Sequence, residues 1–346
     1  MELDIMSASM ELGAMQRHAQ RIEAAGFGTM WLTEAGRTAY LSAAAAGLAT
    51  TSLRIGTAVA VAFPRSPMIT ASTAWELADA TGGRFTLGLG TQIKAHVERR
   101  YSAEYAPPGP RMKEYVQSIQ AIFRAFRGKE KLAFAGDFYN FSLLPAQWSP
   151  GPIDAPDPAI FVSAVLPWMS RMAGEVCDGI HIHPFNSAEY ISHRQRPHVE
   201  EGVARAGRNL ADVTFEIPVM TPVGDTDEEL AVTREHARQM IAFYGSTRTY
   251  SPVFETHGFD GLSDQLHAKQ REGDMVGMVG LITDDILDHY TVSGSWSTLG
   301  ANLVERYRDV APTVRLMTYT ASSQLKKHPD ILDRWAQVAR DVAAEA

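Results

Sequence analysis

Residues able to do chemistry gather at a few places in the chain, most of them where an apolar run stops. Glu34 closes the run Thr29-Met-Trp-Leu-Thr33. Gly88 to Gln92 follows the apolar stretch Phe85 to Leu89 and leads into Lys94, His96, Glu98 and Arg99. Ser163-Ala-Val-Leu-Pro167 joins an apolar run to a helical one, and His181 and His183 alternate in Gly179-Ile-His-Ile-His183. A carboxyl such as Glu34 serves as an acid or base when burial beside an apolar ligand raises its pKa; a salt bridge to Arg37 or Arg65 is its structural alternative. His96 is a second candidate for proton transfer, in a run of charges of which half is ordinary solvated surface. Gly88 and Gly90 let backbone N–H groups approach a bound molecule closely. Pro167 near the first turn of a helix leaves free N–H groups at a positive dipole end, a place for a phosphate to which His183 can also donate. His181 and His183 point to one face of a strand, but a metal-dependent barrel needs more ligands than these. We therefore assign no metal and read the pair as packed or substrate-facing.

Those positions need a frame. Short apolar strands are predicted at Leu3–Met6, Thr29–Thr33, Leu53–Val61, Phe85–Leu89, Ala159–Ala164, Gly179–His183, Val213–Thr221 and Val314–Thr320. Each is followed by a helical pattern; the clearest is the face made by Met112, Tyr115, Val116, Ile119, Ile122, Phe123 and Phe126. Strand–helix alternation with short connections implies parallel, right-handed crossovers. Eight such units are the count for a (β/α)8 TIM barrel, with insertions after strands 4 and 7, in a single domain over residues 1–346. An open, doubly wound sheet is the rival; even spacing and the lack of a mid-chain linker favour the barrel. The first insertion carries a hairpin at Phe134–Tyr139 and a proline-rich excursion, and the second covers residues 245–295. In a barrel the strand carboxyl ends carry the function.

Composition narrows the class. The chain has 346 residues, 45% hydrophobic and 21% charged, and a net charge of −8, which argues against a nucleic-acid partner. One cysteine, Cys177, permits no internal disulfide. No apolar run approaches a membrane span, and the amino-terminal stretch lacks the pattern of a signal peptide. A cytoplasmic protein acting on a small-molecule substrate, without membrane or nucleic-acid partners, is expected.

Several stretches together carry a resemblance. They are Gly26-Phe27 with Trp31-Leu-Thr-Glu34, Arg54-Ile-Gly-Thr-Ala-Val59, Gly82-Gly-Arg-Phe-Thr-Leu-Gly-Leu-Gly90, Phe134-Ala-Gly-Asp-Phe-Tyr139, and Gly174 to Gly179 with its Cys-Asp-Gly ending. The chain resembles the bacterial-luciferase-like superfamily, and within it the oxidoreductases that depend on the deazaflavin coenzyme F420. The lean toward the deazaflavin over FMN rests on the form GLGTQxKAHxERR. The resemblance implies a barrel with a flat tricyclic cofactor across its strand ends, backed by a non-proline cis peptide at Ala58-Val59. It places Gly90, Thr91 and Gln92 along the ring and its side chain, with Gln92 facing the pyrimidine edge. It places the cofactor's phosphate at Ala164, Val165, Leu166 and the helix from Pro167, with His183 nearby. Two departures stand out: glycines are frequent in the family where Val165 and Leu166 stand, and the acid–His pair of several deazaflavin dehydrogenases is here Glu34-Ala35. The implied activity is hydride transfer between F420 and a carbonyl, alcohol or enone, with Glu34 and His96 as candidates for the proton. An FMNH2-dependent monooxygenase and a non-catalytic flavin-binding paralogue are the alternatives, and a homodimer is the implied assembly.

Overall fold

The computed structural model describes residues 1–319 and 330–345. Thr320, read above as the end of the last strand, lies outside them. The chain has the (β/α)8 barrel fold, with helical or hairpin insertions after the fourth and seventh barrel strands. The strands are β1 (Glu2–Ser7), β2 (Thr29–Leu32), β3 (Arg54–Thr57), β4 (Ala60–Val61), β5 (Phe85–Gly90), β6 (Phe134–Ala135), β7 (Asn140–Phe141), β8 (Ala159–Ala164), β9 (Gly179–Ile182), β10 (Thr214–Val219) and β11 (Val314–Thr318). Among the described residues only β6 and β7 pair antiparallel; they are the small hairpin. The third predicted strand, Leu53–Val61, is in fact two pieces, because the Ala58–Val59 peptide is cis and leaves the ladder between them. No described helix is long and apolar enough to cross a membrane. The residues divide into two compact units, taken in turn below.

The larger unit comprises Met6–His181 and Val199–Thr214. Here β2 pairs with β3, β3 and β4 pair with β5, and β5 pairs with β8, all in parallel. The quoted motifs turn out to be fasteners of this sheet. Arg84 of the Gly-Gly-Arg turn donates to the carbonyls of Gly47 (3.1 Å), Thr50 (2.9 Å) and Leu53 (2.5 Å), locking the helix Ala39–Leu48 to the start of β3. At Gly88 an added Cβ would lie 1.7 Å from the Thr57 carbonyl oxygen, so only glycine fits. The Thr57 hydroxyl there donates to the Gly88 carbonyl (2.7 Å) and accepts its N–H (2.9 Å). In the hairpin, Glu114 accepts the N–H groups of Asp137 (2.8 Å), Phe138 (2.8 Å) and Tyr139 (3.2 Å), and Gly136 leaves room for that carboxylate. Arg127 lies over the Trp75 ring and donates to the Ile153 and Ala155 carbonyls, which fixes the proline-rich excursion. Asp178 of the Cys-Asp-Gly ending accepts the Ile160 N–H (2.8 Å) and anchors the start of β8.

The smaller unit comprises Met1–Ile5, Ile182–His198 and the chain from Phe215 onward. In it β11 pairs in parallel with both β1 and β10. At the amino-terminal ends of these strands Arg315 is gripped by Asp4 (2.6 Å) and Glu2 (2.6 Å), with Glu216 at 3.5 Å; Asp4 and Glu216 are fully buried. The second insertion folds as four short helices between Ser251 and Tyr290. Phe185, Met220, Ile241, Phe254, Leu266, Leu287 and Tyr290 form their common core, so this insertion is packed structure and no loose lid.

Candidate functional site

In the larger unit the carboxyl ends of β2, β3, β5 and β8 bring most of the sequence-predicted residues together. Glu34 follows β2, and both its oxygens are taken. Arg65 donates Nη2 to Oε1 (2.5 Å) and Nη1 to Oε2 (2.9 Å), and the Val61 N–H donates to Oε2 (2.7 Å). The Glu34 side chain is only 4% exposed. The Arg65 guanidinium lies 5.1 Å from the Tyr40 ring centroid and also donates to the Val61 carbonyl (2.8 Å). Of the two readings of Glu34 left open by the sequence, the geometry is that of the salt bridge to Arg65.

The Ala58–Val59 step is fixed on either side, by Ala58 N–H to Leu32 O (2.8 Å) and Ala62 N–H to Gly90 O (3.0 Å). Both residues are half-buried. A Cβ on Gly90 would fall 2.4 Å from Val59 Cγ2 and 3.0 Å from Ser163 Oγ. Val59, Gly90 and Ser163 therefore form one small-residue floor across three strand ends. Thr91 is half-buried, and Gln92 is exposed with φ 58, a left-handed conformation that costs a non-glycine residue about 1 kcal/mol. Strain of this kind collects where a loop serves a ligand. His96 is exposed and opens a π-helical turn, His96–Arg100, within what the sequence shows only as a run of charged residues. The turn is tied back to the β2 end, for Arg100 donates to the Ala35 carbonyl (2.8 Å).

At the end of β8, Ala164 is buried and Leu166 is 38% exposed. Leu166 is the N-cap of the helix Pro167–Val176 and no side chain caps it. Pro167 at the first position has no N–H to satisfy, and the first turn presents the positive end of the helix dipole.

Sequence reasoning treated His181 only as half of a histidine pair. In the structure it is 4% exposed, and among the described residues neither ring nitrogen has a well-aligned hydrogen-bond partner, the Thr57 backbone being its polar neighbour. It stands edge-on to Trp31 (4.6 Å between centroids) and 5.4 Å from Phe161, under the Gly88 backbone. Burial pushes its pKa down to about 3, so the ring is neutral. The signal was present in the strand pattern, since His181 falls on an inward position between Ile180 and Ile182.

In the smaller unit His183 follows β9. Its Nδ1 accepts the Phe185 N–H (3.1 Å), and its ring lies 4.9 Å from Tyr244 and 4.6 Å from Tyr250. Burial pushes its pKa down to about 4. The Tyr244 and Tyr319 hydroxyls are hydrogen-bonded to each other. In the sequence, Tyr244 and Tyr250 belong with Met220, Phe254 and Trp296 to an aromatic-rich set that suggests an apolar lid, whereas Tyr319 carries no such signal. Among the described residues no three His, Cys, Asp or Glu side chains converge as metal ligands.

Comparison with known proteins adds the following. The family model for luciferase-like monooxygenases matches residues 2–313. An uncharacterized protein of Mycobacterium tuberculosis is 38% identical over 306 residues, covering 88% of this chain and 90% of its own. The 5,10-methylenetetrahydromethanopterin reductase of Archaeoglobus fulgidus is 26% identical over 295 residues, 83% of each chain. Among solved structures, the coenzyme F420-dependent tetrahydromethanopterin reductase of Methanopyrus kandleri superposes with a TM-score of 0.77 at 17% identity over 99% of both chains. Solved structures of the same fold include an enzyme with an F420 adduct and one in complex with FMN.

Proposed function

The chain belongs to the luciferase-like monooxygenase family, a family of oxidoreductases, and we propose that it transfers a hydride between coenzyme F420 and an organic carbonyl, alcohol or enone. The observation that carries this reading is the floor of Val59, Gly90 and Ser163, a cradle that a single added Cβ would fill. A flat ring needs such a surface, and the uncapped helix at Pro167 suits the phosphate of its tail. The residues present thus fit a deazaflavin. Val59, Gly90 and Thr91 would hold the ring, Gln92 its polar edge, and Ala164, Val165, Leu166 and the helix start its phosphate. The bulkier Val165 and Leu166 are compatible with this role, because the groups that bind are backbone N–H. The bound coenzyme supplies the hydride-carrying carbon.

The chain's own residues then position and protect. We assign Glu34 to positioning: it holds the Val61 N–H and Arg65 and so fixes the chain just beyond Val59. His96 remains our candidate for the proton that accompanies the hydride; its exposure at a turn start lets it reach a ligand and exchange that proton with solvent. A relative named as a putative coenzyme F420-dependent oxidoreductase, 26% identical over 353 residues, supports the deazaflavin over FMN. Titration with F420 and with FMN in both redox states, followed by oxygen uptake, tests the reading. Tight F420 binding without oxygen consumption is expected. FMNH2 binding with oxygen uptake refutes it in favour of a monooxygenase, and F420 binding without turnover over a carbonyl panel refutes the catalytic claim.

We further propose a cytoplasmic homodimer. Leu41 and Leu48 are 56% and 69% exposed one heptad apart on the helix Ala39–Leu48, and Ile69, on the neighbouring helix Pro67–Ala80, is 60% exposed. Leu41→Glu with Leu48→Glu should shift the protein to a monomer in light scattering; an unchanged mass would exclude this face.

A further inference from the structure

His183, Tyr244, Tyr250 and Tyr319 cluster within the smaller unit. His183 stands one residue beyond β9 and Tyr319 one residue beyond β11; Tyr244 lies in the last turn of the helix Asp227–Gly245. All four are half-buried. They are therefore partly open, and His183 and Tyr319 stand at strand carboxyl ends, where barrel ligands bind.

The hydrogen bonds fix what each group offers. His183 Nδ1 accepts a backbone N–H, so in the neutral ring the proton sits on Nε2, which is a donor. Two phenols joined by one hydrogen bond use one of their two protons between them. The other O–H is left for a third partner. Burial raises the pKa of both phenols and lowers that of His183; Tyr244 adds to the rise at Tyr319, and no Lys, Arg, Asp or Glu among the described residues contributes to these shifts. The cluster thus presents neutral donors between aromatic faces: Tyr244 meets His183 at 86° and Tyr319 at 60°. Such a surface suits a hydrogen-bond acceptor carried on a flat apolar body. Among the described residues it brings no Lys or Arg to offset the desolvation of an anion, so it favours a neutral acceptor.

We infer that His183, Tyr244 and Tyr319 form a subsite for the carbonyl or hydroxyl oxygen of an uncharged, flat organic ligand, with Tyr250 as an apolar wall. Calling that ligand the substrate rests on the oxidoreductase reading above; the subsite itself does not. His183 thereby takes a neutral oxygen in place of the cofactor phosphate expected from the resemblance.

Ligand-observed NMR titration of the purified protein, with and without F420, tests this with two probes that share one ring. Acetophenone carries a neutral carbonyl, and phenyl phosphate carries an anion. Acetophenone should bind at least about 10-fold more tightly. Tyr319→Phe and Tyr244→Phe should each weaken it about 3- to 10-fold, the loss of one neutral hydrogen bond. Both variants keep the ring, and an unchanged thermal midpoint would show that they fold. Three results overturn the inference: no acetophenone binding, phenyl phosphate binding as tightly, or full acetophenone affinity in both variants. Failure of F420 to bind would sink the oxidoreductase reading alone, because the acetophenone titration without F420 stands by itself.

Discussion

The Glu34–Arg65 pair offers the sharpest test of how this chain holds its strand ends. Glu34 is 4% exposed and Arg65 22%, and three hydrogen bonds converge on one carboxylate. Glu34→Gln keeps the shape but turns one acceptor into a donor, which must then face Arg65 or the Val61 N–H. Breaking a fully buried pair costs about 3–5 kcal/mol; partial exposure of Arg65 lowers the expectation here to about 2–3 kcal/mol. Arg65→Met preserves the packing over Tyr40 and should cost a similar amount. A double-mutant cycle by urea unfolding should return a coupling of about 1.5–3 kcal/mol. A coupling below about 0.5 kcal/mol would refute the assignment of the pair as a structural clasp. Turnover separates clasp from acid–base group. If Glu34 acts by positioning, Glu34→Gln and Arg65→Met lose comparable activity. Full loss in Glu34→Gln with normal turnover in Arg65→Met would make Glu34 a participant in proton transfer, against the reasoning above.

Further outcomes follow from other parts of the frame. Gly90→Ala should weaken F420 binding by about 10-fold or more while costing only about 1–3 kcal/mol of stability, as overpacking against a movable Val59 side chain does; F420 fluorescence titration and thermal unfolding report the two effects, and unchanged affinity would remove the floor from the site. Arg315→Met leaves Asp4 and Glu216 buried without their guanidinium and should cost about 3–5 kcal/mol, read by urea unfolding; a neutral result would show that the cluster is solvated. The buried histidines make stability acid-sensitive. His181 and His183 have folded pKa values of about 3 and about 4, below the ordinary 6.5, so the unfolded chain binds more protons in between. Their contribution is fully present above about pH 6.5 and is lost as pH falls toward 4, by up to about 3 kcal/mol for each. His181→Phe should flatten that slope in urea midpoints measured from pH 7 to pH 4.5, and an unaltered slope would place the sensitivity elsewhere.

Much of the fold was legible because its signals are local. Apolar runs such as Ala159–Ala164 and helical patterns such as Pro167–Val176 fell where the periodicity put them, and their alternation sufficed for the barrel. The interruption of Leu53–Val61 was not legible from apolar patterning, since Ala58 and Val59 read as ordinary strand residues; only the resemblance marked them. The run from Lys94 to Arg99 hid a π-helical turn, because a single wide turn leaves no periodic trace in so short a polar segment.

The sequence by itself determined which residue types stand at the strand ends, since a strand's end is set by a few adjacent residues. It could not decide their partners. Whether Glu34 faces a ligand or Arg65 depends on a contact across 31 positions of chain. The same holds for the motifs: Arg84 and Asp178 stand in them as charged residues without a stated partner, and the folded chain uses them on backbone groups 31 and 18 residues away. Tyr319 meets its hydrogen-bond partner only because β11 sets it beside Tyr244, 75 positions earlier. Local chemistry is written in the order of the residues; pairing, burial and tautomer arise only when distant segments share one dry space, and there the tertiary structure decides.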